Sequence, residues 1–586
     1  MYLKTFLLRN VIKQCKVKYF APVITHSYDR NEHTRHQWNC KKNATIGLLG
    51  SVLIGSAVKD KQKVNNETKE SVLEAGEKQP GLPTYTADEV SKHDNKDSFW
   101  VTYRHGVYDV TSFLPSHPGG EQILNAAGLS VEPFWNVYGM HKTEEVYKLL
   151  ESYRIGNLHD DDVLDHSDDE LWAKEPYRDK RLIIKTAKPF NAETPPELLV
   201  ENFYTPNELF FVRQHMPVPD IDPNTHKLKV TIVGDTDNVK EFSLEDLSMF
   251  PTETLDAALM CAGNRRTEMN KPVAEIGRAD IIIIVIVSEQ VRPVKGLGWA
   301  AGAISNARWR GAALRDVLLH CGLDPRRADL DDLHVILTGA DIDATGENFS
   351  TSIPLRTALD ANARVLLATE MNGAPLPRDH GAPLRAIVPG APAVRSVKWL
   401  QSITVSRSES SSHWHQRDYR SFNASTTWES ADFPAAPPVY SLPVTAAACA
   451  PAHGDAVCAP GGRLEVRGES RGGGECSCTG QKRHTNAGYA YSGGGARVLR
   501  VDVSADRGRS WRAAALAPAP AAGAPHYAWA LWRVALPVPP DATEVEIWVK
   551  ATDSNFNTQP ENFDDIWNIR GILANAYHKI KVNIKQ

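Results

Sequence analysis

Two histidines and one cysteine stand where their neighbours suit them to metal chemistry. His117 lies in "LPSHPGGEQILNAAG", where Pro118-Gly119-Gly120 dictates a sharp turn and a helix is predicted from Glu121. His141 follows 24 residues later, in "NVYGMHKTEEVYKLL". Two neutral imidazoles on opposite walls of an apolar pocket can fill both axial positions of a haem iron. An iron held this way has no open position, so it carries electrons and binds no substrate. Cys261 follows the apolar Leu259-Met260 and precedes Ala262-Gly263-Asn264-Arg265-Arg266. A glycine turn with two arginines makes electropositive surroundings that favour the thiolate. A thiolate there is a nucleophile or a soft metal ligand, and no Cys/His/Asn protease pattern surrounds it.

These residues need elements to hold them. "FWVTYRHGVYDVTSFL" alternates like a strand pair around His105-Gly106. His93, His105 and His159 fall in turns or at a domain end, and solvent exposure is expected for each. Residues 81–160 hold 11 acids against 6 Lys and Arg. That balance either steers a basic electron-transfer partner or is a solvated face. Residues 159–170, "HDDDVLDHSDDE", carry seven acids in twelve positions, so repulsion should keep them extended and let the haem unit swing. The region from about 178 to 430 is rich in strand signals and Gly/Pro turns. After a Pro/Ala-rich stretch, "RLEVRG", "ARVLRVDVSADRGRSW", "HYAWALWRVAL" and "TEVEIWVKATDS" read as short strands of an immunoglobulin-like β-sandwich. Trp511, Trp529, Trp532, Trp548 and Trp567 are expected in its core.

Composition sets the frame. At roughly 150 residues per domain, 586 residues allow about four units. Hydrophobic residues at 42% and charged residues at 23% exclude a polytopic membrane protein and a wholly disordered chain. A net charge of −5 argues against a general nucleic-acid binder. Eight cysteines are too few for a disulfide scaffold, and the one close pair, Cys476 and Cys478, lacks the usual zinc-site spacing. Residues 1–28 carry Lys4, Arg9, Lys13, Lys16 and Lys18 and no acid, the pattern of a mitochondrial transit peptide. The apolar run of 15 residues from Ala44 to Val58 is short for a membrane span of ~20 residues. It reads either as a sorting signal that releases the protein into the intermembrane space or as a retained anchor. Release is the reading adopted here, with no stable membrane insertion in the mature form.

With "VYDVTSFLPSHPGG", His141 and the terminal "LLESYRIGNL", residues 81–160 resemble the cytochrome b5 family. The order of "TPNELFFVRQHMPVP", "LMCAGNRRTEM", "GLGWAAGAISNARWRGA", "LATEMNGAPLPRDHGAPLRAIVPG" and "VKWL" resembles the sulfite oxidase family over most of residues 81–586. The resemblance implies an α+β multidomain protein. Its parts are a targeting segment and linker (1–80), a small cytochrome b5-like α+β haem domain (81–160) and an acidic linker (161–177). A mixed α/β molybdopterin-binding domain (178–430) and an immunoglobulin-like dimerisation domain (431–586) follow. It implies haem b between His117 and His141, and molybdenum-molybdopterin with Cys261 as the protein's single ligand to molybdenum. Arg213, Arg266 and Arg570 would bind the oxyanion, and Trp299 would line the pocket. Phe211, Val212, Arg213, Gln214, His215, Asp341, His380, Arg385, Ser396, Val397 and Lys398 would contact the pterin. Sulfite would be the substrate, cytochrome c the electron acceptor and a homodimer the assembly.

The sequence departs from that family in three places. Phe349 in "GENFSTSIPL" stands where the family usually has a tyrosine, so one polar contact is expected to be missing. "PVAEIGRADIIIIVIVSEQVRPVK" is longer than the family's connection, and its Ile281–Val287 run is a strand pattern without an assigned partner. "RGGGECSCTGQKRHTNA" is a polar, low-complexity insertion. Two alternatives to an active sulfite oxidase follow: a b5-type electron carrier with an inactive molybdenum domain, and a nitrate reductase-like enzyme. The latter usually places its haem unit after the molybdenum unit and adds a flavin module.

Overall fold

Alternation of apolar and polar side chains builds the first unit. In Ser98–Tyr103, Phe99, Val101 and Tyr103 turn inward. The strand pairs with Gly106–Asp109 through the tight turn Arg104-His105, where Arg104 takes φ 49°. The computed structural model describes residues 74–117, 119–164, 172–232, 239–270, 294–458, 463–464, 486–517, 525–539 and 541–585. The basic leader, the apolar run at 44–58, the insertion holding Ile281–Val287 and the segment with Cys476 and Cys478 lie outside the described residues.

The hairpin belongs to a five-stranded sheet. Its order is Thr84–Tyr85, Arg154–Leu158, Gly106–Asp109, Ser98–Tyr103 and Asp94–Asn95. One face packs Phe99, Val101, Tyr108, Val110, Trp135 and Leu150 against short helices. Among these are Thr111–Ser116, Gly120–Ala126 and Glu132–Val137, and the helix Glu144–Glu151 is capped by the Thr143 side chain. His159 is exposed as expected, but His93 and His105 are half-buried. His93 stacks on Trp100 at 3.6 Å, and His105 lies 3.6 Å from Asp160. The acidic segment opens as a turn, Asp160–Asp162, not as extended chain. Lys78 pairs with Asp160 at 2.7 Å, and Asp162 accepts from the Ala87 N–H, which offsets the repulsion locally.

The second unit has two larger sheets. One runs Val239–Ser243, Lys227–Ile232, Leu400–Ser406, His334–Ile342, Asn348–Pro354, with only the Lys227–Ile232/Leu400–Ser406 pair parallel. The other pairs Thr252–Met260 with Ile304–Ala313 and then Leu366–Met371. Between them lies a core of Leu228, Val230, Leu337, Leu367 and Ile403. A small three-stranded sheet, Ile183–Thr186, Asn191–Glu193 and Val212–Arg213, carries Arg213. The haem unit packs on this second unit. Val137 enters its core cluster, and the Trp172 Nε1–H donates to Asn136 O at 3.1 Å.

The third unit is a two-sheet sandwich. One sheet holds Thr445–Ala450, Asn486–Tyr491, Ala530–Val534 and Ala515–Leu516. The other holds Ala456–Cys458, His578–Lys585, Glu544–Asp553, Val498–Ser504 and Arg512–Ala513. Glu544–Asp553 alternates strictly, with Val545, Ile547, Val549 and Ala551 inward. Of the five tryptophans expected in the core, Trp532 is buried there, while Trp529 is buried against Ala258, Met260 and Ile304 of the second unit and donates to Phe203 O at 3.0 Å. Trp511 and Trp548 are half-exposed, under Lys550 at 4.0 Å and Lys579 at 3.9 Å. Trp548 alternates outward on its strand and Trp511 precedes the edge strand Arg512–Ala513, and a lysine stem covers each ring. Trp567 packs beside Met269, Val294 and Ala574, away from the sandwich core.

Candidate active site

His117 and His141, the residues expected to hold a haem, are positioned by backbone carbonyls. His117 Nδ1 is 3.0 Å from Gly120 O, and His141 Nδ1 is 2.9 Å from Tyr138 O. A carbonyl only accepts, so both Nδ1 atoms carry the proton and both Nε2 atoms keep a lone pair for a metal. The rings lie nearly parallel, 13° apart, with centroids separated by 6.2 Å. Two metal–imidazole bonds of about 2 Å plus the two ring radii sum to about that distance. Trp135 stacks on His141 at 5.7 Å and Phe113 meets His117 edge-on at 5.9 Å. Burial pushes both imidazoles below their ordinary values, which keeps them neutral and able to ligate. Gly119 is required here, since a Cβ would sit 2.9 Å from His117 Cε1.

Cys261 closes the strand Thr252–Met260, held by its N–H donating to Ala303 O at 2.9 Å. Its side chain lines a partly enclosed cavity. Phe211, Arg213, Gln214, His215, Asp341, Phe349, His380, Arg385, Ser396, Val397 and Lys398 line the same cavity. Val212 does not. It packs with Leu182, Phe190 and Ala192, because neighbouring strand residues point to opposite faces.

The two arginines of "CAGNRR" part ways. Arg265 adopts φ 64°, is fully buried, and pairs with Glu268 at 2.7 Å. It also donates to Ala446 O and Tyr577 O, in the sandwich. Arg266 donates to Gly571 O and Leu297 O, both at 3.0 Å. Three glycines make its slot. A Cβ on Gly263 or Gly296 would lie 2.6 Å from the guanidinium, and one on Gly571 would lie 2.9 Å from Arg266 Cγ. Burial lowers the Arg266 pKa, Cys261 opposes that, and Arg570 and Arg213 reinforce it, so the four share one field. Arg570 is brought beside this group by Gly571 but is paired with Asp418. Trp299 is buried in the cluster that holds Cys261 and does not reach the cavity wall.

The cavity's other end is polar. Asp341 Oδ1 and Arg385 Nε are buried without a hydrogen-bond partner. Arg385 otherwise serves the backbone, donating to His380 O and Ser396 O at 2.9 and 2.8 Å. Burial raises the Asp341 carboxyl to about 7 and lowers the Lys398 ammonium to about 7. Lys398 Nζ donates to Arg213 O and Asp379 O, both at 3.0 Å. An unpartnered acceptor and an unpartnered guanidinium N–H facing one cavity suit a heterocycle that both donates and accepts, as a pterin does. Among the described residues no three His, Cys, Asp or Glu side chains gather as a metal site. A metal here must arrive in a larger group that brings most of its own ligands, and one cysteine beside this cavity fits molybdopterin.

Motif reading missed several lining residues, among them Asp379, Trp399 and Tyr419. The Tyr419 hydroxyl lies 3.2 Å from His215 Nε2, while His215 stacks on Phe349 at 5.1 Å. Tyr419 stands alone in "RDYRSF", so no spacing pointed to it.

Comparison with known proteins agrees with this layout. The family described as cytochrome b5-like haem/steroid binding domain matches residues 86–159. The oxidoreductase molybdopterin binding domain matches 215–414, and the Mo-co oxidoreductase dimerisation domain matches 436–585. The mitochondrial sulfite oxidase of Drosophila melanogaster is 46% identical, over 86% of this chain and 81% of its own. The sulfite oxidase of Gallus gallus is 44% identical, over 85% of this chain and 100% of its own. An NADH nitrate reductase of Oryza sativa is 34% identical but is covered over only 43% of its length. The sulfane dehydrogenase SoxCD of Paracoccus pantotrophus shares the fold, with a TM-score of 0.50 at 20% identity over 70% of this chain and 90% of its own. Two facing imidazoles able to ligate a metal, a buried cysteine on a cavity and identity above 40% over about 85% of the chain converge, and the chain belongs to the sulfite oxidase family.

Proposed function

We infer that the chain oxidises sulfite to sulfate and passes the electrons through a b-type haem. One juxtaposition carries the reading: a buried thiol on a cationic cavity and a two-imidazole site within one chain. Sulfite takes up the oxygen of one water and releases two protons and two electrons, which a haem accepts one at a time. When bound, molybdenum-molybdopterin supplies the two-electron exchange and the oxygen transfer. The protein supplies the rest. Cys261 would hold the metal. Arg213 and Arg266, with Arg570 behind them, would draw in the dianion and stabilise charge as sulfate forms. Asp341, Arg385 and Lys398 would fix the pterin. Phe349 and the buried Trp299 would keep bulk water from the thiol.

Further readings are proposals on the same footing. The acidic haem unit suits a basic one-electron acceptor, and cytochrome c is that acceptor. The match to a dimerisation domain supports a homodimer. The relatives' mitochondrial names and the basic leader support a mitochondrial site, and release into the intermembrane space follows from the short apolar run. No helix among the described residues is long and apolar enough to cross a membrane. The test is an anaerobic optical spectrum of the purified holoprotein before and after sulfite. Conversion of the haem bands to the reduced form is expected. Reduction by dithionite alone would overturn the sulfite reading.

A further inference from the structure

One indole outside the cavity gathers two cations. Lys295 Nζ lies 5.1 Å from the centre of the Trp428 ring, and the guanidinium carbon of Arg570 lies 5.6 Å from it. Each cation is followed by a glycine, Gly296 and Gly571, and these glycines wall the Arg266 side chain. The same two segments supply its acceptors, Leu297 O and Gly571 O. They also touch each other, since a Cβ on Gly571 would lie 2.8 Å from Val294. Both walls of the Arg266 slot therefore rest on Trp428.

The loop that carries Trp428 is fastened at its base and packed within. Its ends meet where the Ser421 N–H donates to Pro437 O at 2.9 Å and Arg420 pairs with Pro438 in an isolated bridge. Inside it, Phe433 meets Phe422 edge-on at 5.0 Å and packs on Trp428 at 6.2 Å. Beside the indole, the Thr427 N–H donates to Ser430 Oγ at 2.9 Å, and the Ser430 N–H donates to Thr427 Oγ1 at 3.2 Å.

We propose that Trp428 is a positioning residue for the anion site, holding Lys295 and Arg570 together by cation–π attraction and so closing the slot around Arg266. This deepens the sulfite reading above and rests on it. A carboxylate in the same place would cancel a positive charge. A ring face attracts cations yet carries no net charge, so both remain available to an anion. Without the ring, two like charges are free to move apart. A dianion couples to each of them twice as strongly as a monoanion does, so it should lose more.

The experiment uses holoenzyme: wild type, Trp428→Phe, Trp428→Leu, and a protein with a ring-tetrafluorinated tryptophan at 428. Fluorination keeps the shape and strips the negative face of the ring. Sulfate and nitrate binding are measured by calorimetry, and sulfite turnover in steady state. The Kd for sulfate and the KM for sulfite should rise about threefold in Trp428→Phe. They should rise about tenfold in Trp428→Leu and in the fluorinated protein, the scale of two exposed cation–π contacts. Nitrate should lose no more than about threefold. The kcat should stay within about twofold, with molybdenum content and dithionite-reducible haem unchanged. If Trp428→Leu loses molybdenum, the fluorinated protein decides. Wild type that binds sulfate but is not reduced by sulfite would sink the functional reading, and the sulfate titrations would still test the clamp. Unchanged constants in the fluorinated protein, which a role in packing alone predicts, would overturn the proposal, as would equal losses for sulfate and nitrate.

Discussion

At the scale of single residues, the site is made by side chains whose partners are missing or already taken. Cys261 has an anchored backbone and a thiol on a cavity wall. Replacing it with serine exchanges a soft ligand for a hard one. Even outer-sphere changes at metal sites cost 10–100-fold, so sulfite-driven haem reduction in Cys261→Ser should fall by about 100-fold or more. Dithionite should still reduce the haem, and a molybdenum assay with stopped-flow spectra checks both. His117, His141 and Cys261 were legible in the sequence because their chemistry depends on neighbours in the same short stretch. Tyr419 was not, since its contact at the cavity is with His215, which lies 204 positions away along the chain. The block "FVRQH" was over-read: period-two alternation alone sets Val212 apart from Phe211 and Arg213.

At the scale of elements, turns do the positioning. The strand Thr252–Met260 delivers Cys261, and the glycine turn after it leaves a slot for one long side chain. In Gly263→Ala, the new Cβ would meet the Arg266 guanidinium, whose slot Gly296 and Gly571 close on its other sides. The fold should therefore lose about 1–3 kcal/mol as Arg266 gives up its bonds to Gly571 O and Leu297 O. With Arg266 withdrawn from the anion site proposed above, the KM for sulfite should rise about tenfold, the scale of a charged hydrogen bond. Parallel melting and steady-state curves separate the two effects. Sequence patterning showed that strands and turns alternate here. It could not show that Gly296 and Gly571 close the same slot, because they arrive from distant parts of the chain. The sandwich strands were legible from alternation, whereas Trp511 and Trp548 were misplaced because a lysine stem can shelter an outward ring as a core does.

At the scale of the whole molecule, buried ionisable groups set the response to acid. Burial lowers His380 to about 4 and His415 to about 3, and holds His215 well below its ordinary value. Below about pH 6.5 the unfolded chain takes up protons that these folded imidazoles refuse, so their stabilisation is lost as pH falls. Asp341, raised to about 7, works the other way between about pH 4 and 7, since its folded form binds the proton first. Three histidines against one carboxyl leave a net loss. The cofactor-free protein should lose a few kcal/mol, at up to ~1.4 kcal/mol per pH unit for each net group, between about pH 6.5 and 5. Melting temperatures measured across that range should fall steadily, and a flat profile would contradict the burial of these groups. The unit order was legible from motif order. The packing of the haem unit through Val137 and Asn136 was not, because the acidic stretch between the units suggested only repulsion.

Arg265 and Arg266 are adjacent, yet one reaches Ala446 and Tyr577 in the sandwich while the other is held by Gly571 O and Leu297 O within the field of Cys261 and Arg213. A single peptide bond thus joins what the enzyme binds to how its domains assemble. Mutational drift cannot tune the two separately: a shift of this turn that suits a new oxyanion also loosens the sandwich's hold. Variation in substrate preference should therefore come from the facing wall, at positions such as Phe349 and Tyr419, where side chains can change without moving the frame.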